Sequence, residues 1–563
     1  MNAQCTGAIL LVGEGNLSFA RAFVRHLPGA NITASSLLKE EECFQLHSLA
    51  ESNAKGLREE GFKVLFEVDA TRLHLKPELR DVKFARIVFN FPHIGGKSKI
   101  TKNRELLRGF FASAVEILSP DGEICVTLAQ GQGGTPADKP IREWHDSWQV
   151  VGVASYFDLI LTSVNPFEVD DYPEYCSTGF RSEDRSFFTK QALTHIFERS
   201  RPLPPPCSDV KVKISVEGCL REMDSYIGHR VQRNLLEEEG NLLKLTKDCI
   251  EGSLKDIFGA CSFIPSPTIV AQFNSRQQSY VITDCKSGEP AILIQSLLDG
   301  VDCMLKDMPQ GDLLGYSFAP VYRRPNIGAT EMPVQHEFIG FQTSSQSFDE
   351  FASKVVRLLQ VIFADSKDVN ILEAHEDKSE IWSIYSSIDV SYQSTGSFLT
   401  AACNHVLPVG PAHAKNSRTL NKCAKLSTNV CNFGRFNDMF VLVLKVDSIA
   451  QVLHQVADQR CFLKEVADPL GIYPPMWRHD LSFWQNESFR ESELLDVVRS
   501  VAGDALKQVL LVNKWEEPGT GRVSRCYREI YQSNMHAISH ALAHDFQNAV
   551  RLTVRDVLGV ELR

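Results

Sequence analysis

No stretch of this 563-residue chain approaches the ~20 consecutive apolar residues that span a bilayer, so a membrane-embedded protein is not expected. Its 15 cysteines are an odd number, scattered singly, without a Cys-x-x-Cys pair or a histidine cluster at zinc spacing. That pattern predicts buried reduced thiols and no metal site. A basic surplus is missing too: 59 lysines and arginines against 70 acids give a net charge of −11. A global polyanion-binding surface is therefore excluded, and any RNA site must be local. Met1, Ala3 and Thr6 lead directly into the strand-like Ala8–Val12, which leaves no room for a signal or transit peptide and predicts a cytoplasmic, nuclear or nucleolar protein.

What is present is length enough for about three domains, since single cores stop growing near 250–300 residues. Hydrophobic periods predict strands at Ala8–Val12, Ile32–Leu37, Lys63–Val68, around Ile87–Phe89, at Ile124–Leu128, Leu159–Val164 and near Phe187-Phe188. Helices are predicted over Phe19–Leu27, Phe44–Leu57, from Leu106 to Leu118 with Pro120-Asp121-Gly122 as its stop, and through Trp144 and Trp148. Such alternation predicts a Rossmann-like, doubly wound α/β domain over 1–200. Arg201-Pro-Leu-Pro-Pro-Pro206 reads as a linker, because proline lacks an amide donor and restrains its predecessor. A second break runs from Asp468-Pro469 to Pro474-Pro475. It is followed by strand, helix, strand, turn, strand, helix, with Glu517–Gly521 as a hairpin turn between Val509–Lys514 and Cys526–Tyr531. This order predicts a small α+β, ferredoxin-like module over 470–563, after an α+β middle domain over 207–465.

Gly13-Glu14-Gly15-Asn16-Leu17-Ser18-Phe19 falls between the first strand and first helix, at the sheet edge where open α/β folds bind ligands. Two glycines permit a sharp turn and close approach, and the amides opening the helix offer donors. Ser18 occupies the place of the third glycine of the dinucleotide fingerprint, so a pyrophosphate loop is less well supported. A plain strand-to-helix turn is the other reading. Gly131-Gln132-Gly133-Gly134-Thr135 follows the fifth strand as either a substrate lip or a plain loop. Trp144 and Trp148, four apart, are expected to share a helix face and to pack.

The glycine segment, together with Val68-Asp69-Ala70-Thr71, Val88-Phe89-Asn90-Phe91-Pro92-His93, Gly95-Gly96-Lys97, Asn103–Leu107, Phe110-Phe111, Gly131-Gln132-Gly133 and Tyr172-Pro173, resembles the eukaryotic 25S ribosomal RNA uridine-N3 methyltransferase-like family. The resemblance implies S-adenosylmethionine as cofactor, cradled by Gly13, Glu14, Gly15, Asn16 and Ser18, with Asp69 accepting from the adenine amino group. It implies that Asn90, Pro92 and His93 receive the target base. Asn90 would orient the base edge, and Phe91 would stack on it or fill core. His93 would be either the general base or a strand cap and phosphate ligand. The ribose-binding carboxylate of such folds is missing: Ser35, Ser36, Leu37 and Leu38 stand there, leaving Glu40 or the serines as substitutes.

Gly315–Arg324 with His336–Gly340 resembles the second motif of class II aminoacyl-tRNA synthetases, which implies an ATP-contacting role for Arg323. The third motif is absent, Gly434-Arg435-Phe436 being the nearest fragment, so a degenerate, non-aminoacylating domain is expected, with a spacer as the alternative. Tyr473-Pro474-Pro475, Arg478–Trp484 and Cys526-Tyr527-Arg528 resemble the ferredoxin-fold anticodon-binding domain of phenylalanyl-tRNA synthetases. RNA would then be held by Arg478, Lys514, Arg525 and Arg528, with Trp484 and Tyr527 available for stacking if exposed. The expected function is an S-adenosylmethionine-dependent RNA methyltransferase acting on tRNA or rRNA. A catalytically silent RNA-binding scaffold and a phenylalanyl-tRNA synthetase-like enzyme are the alternatives.

Overall fold

The computed structural model describes residues 7–27, 29–95, 99–178, 188–207, 209–270, 278–308, 313–343, 347–364, 369–371, 375–377, 384–393, 425–436, 439–454, 458–463 and 469–563. It is a multidomain α/β protein that divides into two compact units. One comprises 1–204, 469–477 and 531–544; the other comprises 205–468, 478–530 and 545–563. Among the described residues no helix is long and apolar enough to cross a membrane.

The first unit is built on seven strands: β1 (Ala8–Val12), β2 (Ile32–Ser35), β3 (Lys63–Leu65), β4 (Phe84–Asn90), β5 (Leu118–Leu128), β6 (Leu159–Pro166) and β7 (Leu193–Arg199). Their order is 3-2-1-4-5-7-6. The pairs among β1 to β5 are parallel, while β7 runs antiparallel to both β5 and β6. Continuous apolar runs such as Ile9-Leu10-Leu11-Val12 are buried along their whole length, as expected where helices cover both faces of a parallel sheet. Phe19 and Phe23 on the helix Ser18–His26 join Leu11, Val88, Phe167 and Tyr172 in one core cluster.

Several sequence expectations shift. The helix expected over Phe44–Leu57 is two helices, Glu40–Leu46 and Ala50–Glu59, because His47 turns extended while its amide still closes on the Cys43 carbonyl. The helix ending near Leu118 begins at Ile100 and stops at Ile117. The strand β5 starts directly after that helix, and Pro120-Asp121-Gly122 lie inside it. Leu118 pairs with Phe84 and Glu123 with Arg86, so the intervening residues bulge out of the ladder. Trp144 and Trp148 do not share a helix: Trp144–Asp146 is a single 3₁₀ turn, and the α-helix starts at Val150. The last strand of this sheet is Leu193–Arg199; Phe187 lies outside the described residues, and Phe188 is exposed coil.

In the second unit a mostly antiparallel eight-stranded sheet contains the hairpin-like pair Leu314–Tyr322 and Val334–Thr343, and a five-stranded sheet shares a core with it through residues such as Ile214, Ile282, Val321 and Phe341. The C-terminal module supplies a four-stranded sheet ordered Leu506–Glu516, Val523–Tyr531, Trp477–Trp484, Glu561–Leu562, with helices Glu491–Ala502 and His540–Leu558 in the connections. This is a split β-α-β arrangement of ferredoxin type.

Candidate active site

At the carboxyl edge of the first sheet, β1 and β4 end side by side: Val12 pairs with Phe89, so Gly13 and Asn90 leave the sheet as neighbours. Gly13 has φ +70°, and a Cβ there would stand 2.6 Å from the Phe89 ring. Only glycine meets both demands. The loop's other side chains face inward. Glu14 is buried, and its Oε2 accepts the Ala20 amide at 3.2 Å, satisfying a donor of a helix whose Leu17 cap supplies no side-chain bond. Desolvation by burial pushes its carboxyl up to about 7, with the Ala20 amide acting in the opposite sense.

Asn16 and Ser18 are committed to a segment that the glycine motif alone does not reveal. Asn16 Nδ2 donates to the Cys176 carbonyl at 2.8 Å; Ser18 Oγ donates to the same carbonyl at 3.0 Å and accepts the Cys176 amide at 2.9 Å. A Cβ on Gly15 would meet Thr178 Cγ2 at 2.5 Å. Residues 172–178 thus strap the glycine loop, anchored by Tyr172 and Tyr175 against Phe19 at 5.0 and 5.6 Å. The quoted Tyr172-Pro173 pair was the one sequence signal of this strap. Asn53, which donates to the Asn16 carbonyl at 2.8 Å, carried none.

At the second strand both substitutes for a ribose carboxylate are engaged. Ser35 Oγ donates to the Leu11 carbonyl at 2.9 Å, Ser36 Oγ lies 3.9 Å from Cys43 Sγ, and Glu40 pairs with Arg58 at 2.6 Å. Leu37 is exposed there. Asp69 lies beyond β3, exposed, and caps the 3₁₀ helix Ala70–Leu75 through Oδ1, which accepts the Thr71 amide and hydroxyl at 2.8 Å each.

The loop after β4 is strained. Phe91 has φ +50°, an outlier for a bulky residue, held by its amide bond to the Thr127 carbonyl at 2.8 Å. Its ring packs edge-on against Phe167 at 5.5 Å, so it fills the interior. Asn90 Oδ1 accepts Thr127 Oγ1 at 2.6 Å, and Thr127 continues to Thr194 at 3.0 Å. The Asn90 Nδ2 amide is buried without a hydrogen-bond partner among the described residues. Pro92 is buried and His93 exposed. His93 Nδ1 accepts the Gly95 amide at 2.8 Å, which places the proton of the neutral ring on Nε2 and makes that nitrogen a donor. Partial desolvation of its ring lowers the His93 pKa.

The loop Gly131–Thr135 is tied down and is not a loose lip. Trp148 N donates to the Gln132 carbonyl at 2.7 Å, and Asp138 Oδ2 accepts the Thr135 amide at 2.8 Å. Cβ atoms on Gly133 and Gly134 would meet His195 Nε2 at 2.5 Å and Ser147 Oγ at 2.2 Å.

In the second unit Arg323 Nε donates to the Gln295 carbonyl at 2.7 Å and its Nη2 pairs with Glu337, beside a polar cavity of about 430 Å³. Gly434-Arg435-Phe436 sit within the strand Lys425–Phe436 and open no helix. Of the proposed RNA ligands, Arg478 and Lys514 are exposed. Arg525 is held by Gln485 at 2.6 Å and Glu491 at 3.3 Å, and Arg528 makes two 2.8 Å bonds to Asp480. Tyr527 is fully buried and unable to stack on RNA, whereas Trp484 is partly exposed between Arg522 and Arg563 at 4.5 and 4.9 Å, with Trp515 at 5.7 Å. Arg522, Arg563 and Trp515, which surround Trp484, were not singled out by the sequence.

Residues 10–179 match a family described as rRNA (uridine-N3-)-methyltransferase BTM5-like, and 471–563 match the ferredoxin-fold anticodon binding domain. Phenylalanine--tRNA ligase, chloroplastic/mitochondrial, of Arabidopsis thaliana is 36% identical over 95 residues, covering 17% of this chain and 22% of its own. Ferredoxin-fold anticodon-binding domain-containing protein 1 of Homo sapiens is 29% identical, covering 98% of this chain and 99% of its own. Its homolog in Mus musculus is 31% identical over 640 residues, covering 99% of each. With one family model matched in its N-terminal part and the other in its C-terminal part, the chain belongs to the family of ferredoxin-fold anticodon-binding domain-containing protein 1.

Proposed function

We propose that the protein is an S-adenosylmethionine-dependent RNA methyltransferase that modifies N3 of a uridine in rRNA or tRNA, with the C-terminal module holding the RNA. The observation that carries this reading is the adjacency of Gly13 and Asn90 at the sheet edge, where a glycine-only turn stands next to an unsatisfied buried amide donor. S-adenosylmethionine, when bound, supplies an electrophilic sulfonium methyl carbon. Gly13 and Gly15 give the backbone its close approach, Asp69 takes the adenine amino group, and Glu14, Asn16 and Ser18 act from behind by fixing the loop. Asn90 Nδ2 donates to a uracil carbonyl, and Pro92 holds the acceptor loop. His93 Nε2–H is a second donor for that base edge, and the N3 proton that must leave the uracil passes to His93 Nδ1 once the ring has released the Gly95 amide. Holding nucleophile and methyl carbon in line contributes roughly 7–11 kcal/mol in such reactions.

The exposed Leu37 at the ribose position favours one other reading, a scaffold that binds RNA through Arg478, Lys514, Arg525 and Arg528 without methylating it. A synthetase-like activity has less support, since Glu337 occupies the guanidinium of Arg323. The test is transfer of labelled methyl groups from S-adenosylmethionine to rRNA and tRNA, followed by digestion to nucleosides. Label in 3-methyluridine, lost in Asn90→Ala, is expected. Label in another nucleoside overturns the uridine-N3 assignment, and absence of transfer favours the scaffold.

A further inference from the structure

On the flank of the first unit, Arg104, Arg108, Trp144, Tyr156, Trp477 and His540 line a cleft of about 360 Å³, a volume in the range of small-ligand sites. All six belong to that unit. Arg104 and Arg108 are one turn apart on the helix Ile100–Ile117 and share a face. Neither makes an ion pair within 4 Å among the described residues, although the Asp146 carboxylate acts on Arg104 from further off, and Glu105 is the single acid among the described lining residues. Arg104 instead spends Nε and Nη2 on the carbonyls of His145 and Ser147, at 2.7 Å to the first and 3.0 and 2.6 Å to the second, which fixes the Trp144 turn. Arg108 is exposed and stacks over Tyr156 at 4.2 Å.

The aromatic wall is prearranged. Trp144 is 40% exposed although its neighbours hold it: Gly152 leaves the space its ring occupies, since a Cβ there would stand 2.9 Å from the ring. Trp477 meets Trp144 edge to face at 6.1 Å and is itself fixed by its indole N–H on the Ile538 carbonyl at 2.7 Å and by His540 at 5.1 Å. Partly exposed rings beside an exposed arginine that makes no ion pair among the described residues, here Arg108, are what unpaired nucleotides use, stacking the base and pairing the phosphate. The segment also leads to the acceptor loop, because Trp148 lies 6.5 Å from the His93 ring.

We propose that this cleft binds one unpaired nucleotide of the RNA substrate, next to the acceptor, with its base on Trp144 and its phosphate on Arg108. The inference rests on the RNA methyltransferase reading and adds a substrate subsite to it.

The test is fluorescence anisotropy of a short labelled oligouridylate with the full chain across a salt series, in parallel with calorimetry of S-adenosylmethionine. Trp144→Ala is expected to weaken RNA binding about fivefold or more, with Trp144→Phe retaining most of the affinity. Arg108→Gln is expected to lower the log–log salt slope by about 0.7, and Arg108→Lys to preserve it. If Trp144→Ala lowers the unfolding temperature, the exposed Arg108 pair decides. Wild-type affinity and salt slope in both Trp144→Ala and Arg108→Gln, or no oligouridylate binding by the wild type, overturns the subsite and leaves the cleft to a protein partner. Loss of cofactor binding in the wild type refutes the methyltransferase reading separately.

Discussion

A carboxylate buried four residues before the helix Ser18–His26 is an unusual cap, and its chemistry sets a pH-dependence. The rise of Glu14 from an ordinary 4.5 to about 7 means that the folded protein binds this proton more tightly than the unfolded chain. Stability is therefore lost as pH rises from the unfolded value through about 7, on the order of 3 kcal/mol in full. Glu14→Gln keeps an acceptor for the Ala20 amide without the charge. Thermal unfolding is expected to match wild type at pH 5 and to exceed it at pH 8; destabilisation at both would show that the carboxylate is ionised and compensated. Gly13 allows a paired comparison. Gly13→Ala places a Cβ 2.6 Å from Phe89 at φ +70°, whereas Gly61→Ala, at φ +86°, meets nothing within 4 Å. Both pay left-handed strain of about 1–2 kcal/mol, but only Gly13→Ala is expected to lose S-adenosylmethionine affinity in calorimetry. Equal behaviour of the two would remove Gly13 from the cofactor site.

Among the elements, the strap at 172–178 is the feature on which the glycine loop depends. Ser18→Ala removes both hydrogen bonds to Cys176 and is expected to raise the alkylation rate of this exposed thiol severalfold, read by mass spectrometry of the labelled peptide. An unchanged rate would mean that Asn16 and the Phe19 aromatic cluster hold the strap alone. The long apolar runs of β1 and β4 and the Gly13–Gly15 turn were legible in the sequence because periodicity and glycine chemistry are local. The bulge at Pro120–Gly122 and the place of the last strand were not, since each is fixed by pairing with distant residues such as Phe84 and Arg86; nor was the break at His47, a local backbone turn that leaves the apolar spacing unchanged. The same holds within the site: glycines announced the loop, but Cys176 and Asn53 touch it, and Thr127 touches Asn90, from far along the chain. Position alone could not show that Tyr527 would be buried while Trp484 stays accessible.

At the scale of the whole chain, residues of the middle region and of the C-terminal module form one compact unit joined by partly buried ion pairs. Arg230 Nη2 binds both Asp504 oxygens at 2.5 and 2.7 Å, with Tyr226 adding a 3.0 Å bond, and Arg324 meets Asp496 at 2.8 Å. Asp504→Ala leaves the Arg230 guanidinium, 13% exposed, without its carboxylate and is expected to cost about 3–5 kcal/mol, seen as a lowered midpoint in urea unfolding. A loss below about 1 kcal/mol would place that pair among the weak surface bridges. Such coupling gives the middle region a structural role even where Arg323 is tied to Glu337. Cofactor binding at the Gly13 turn is the property on which the proposed methyl transfer depends. Its most direct test is calorimetric titration of the purified full chain with S-adenosylmethionine, with NAD as the control. Saturable binding of S-adenosylmethionine alone, abolished by Gly13→Ala, is the predicted result. Binding of neither ligand by the folded wild-type protein would contradict it and leave the chain as an RNA-binding scaffold.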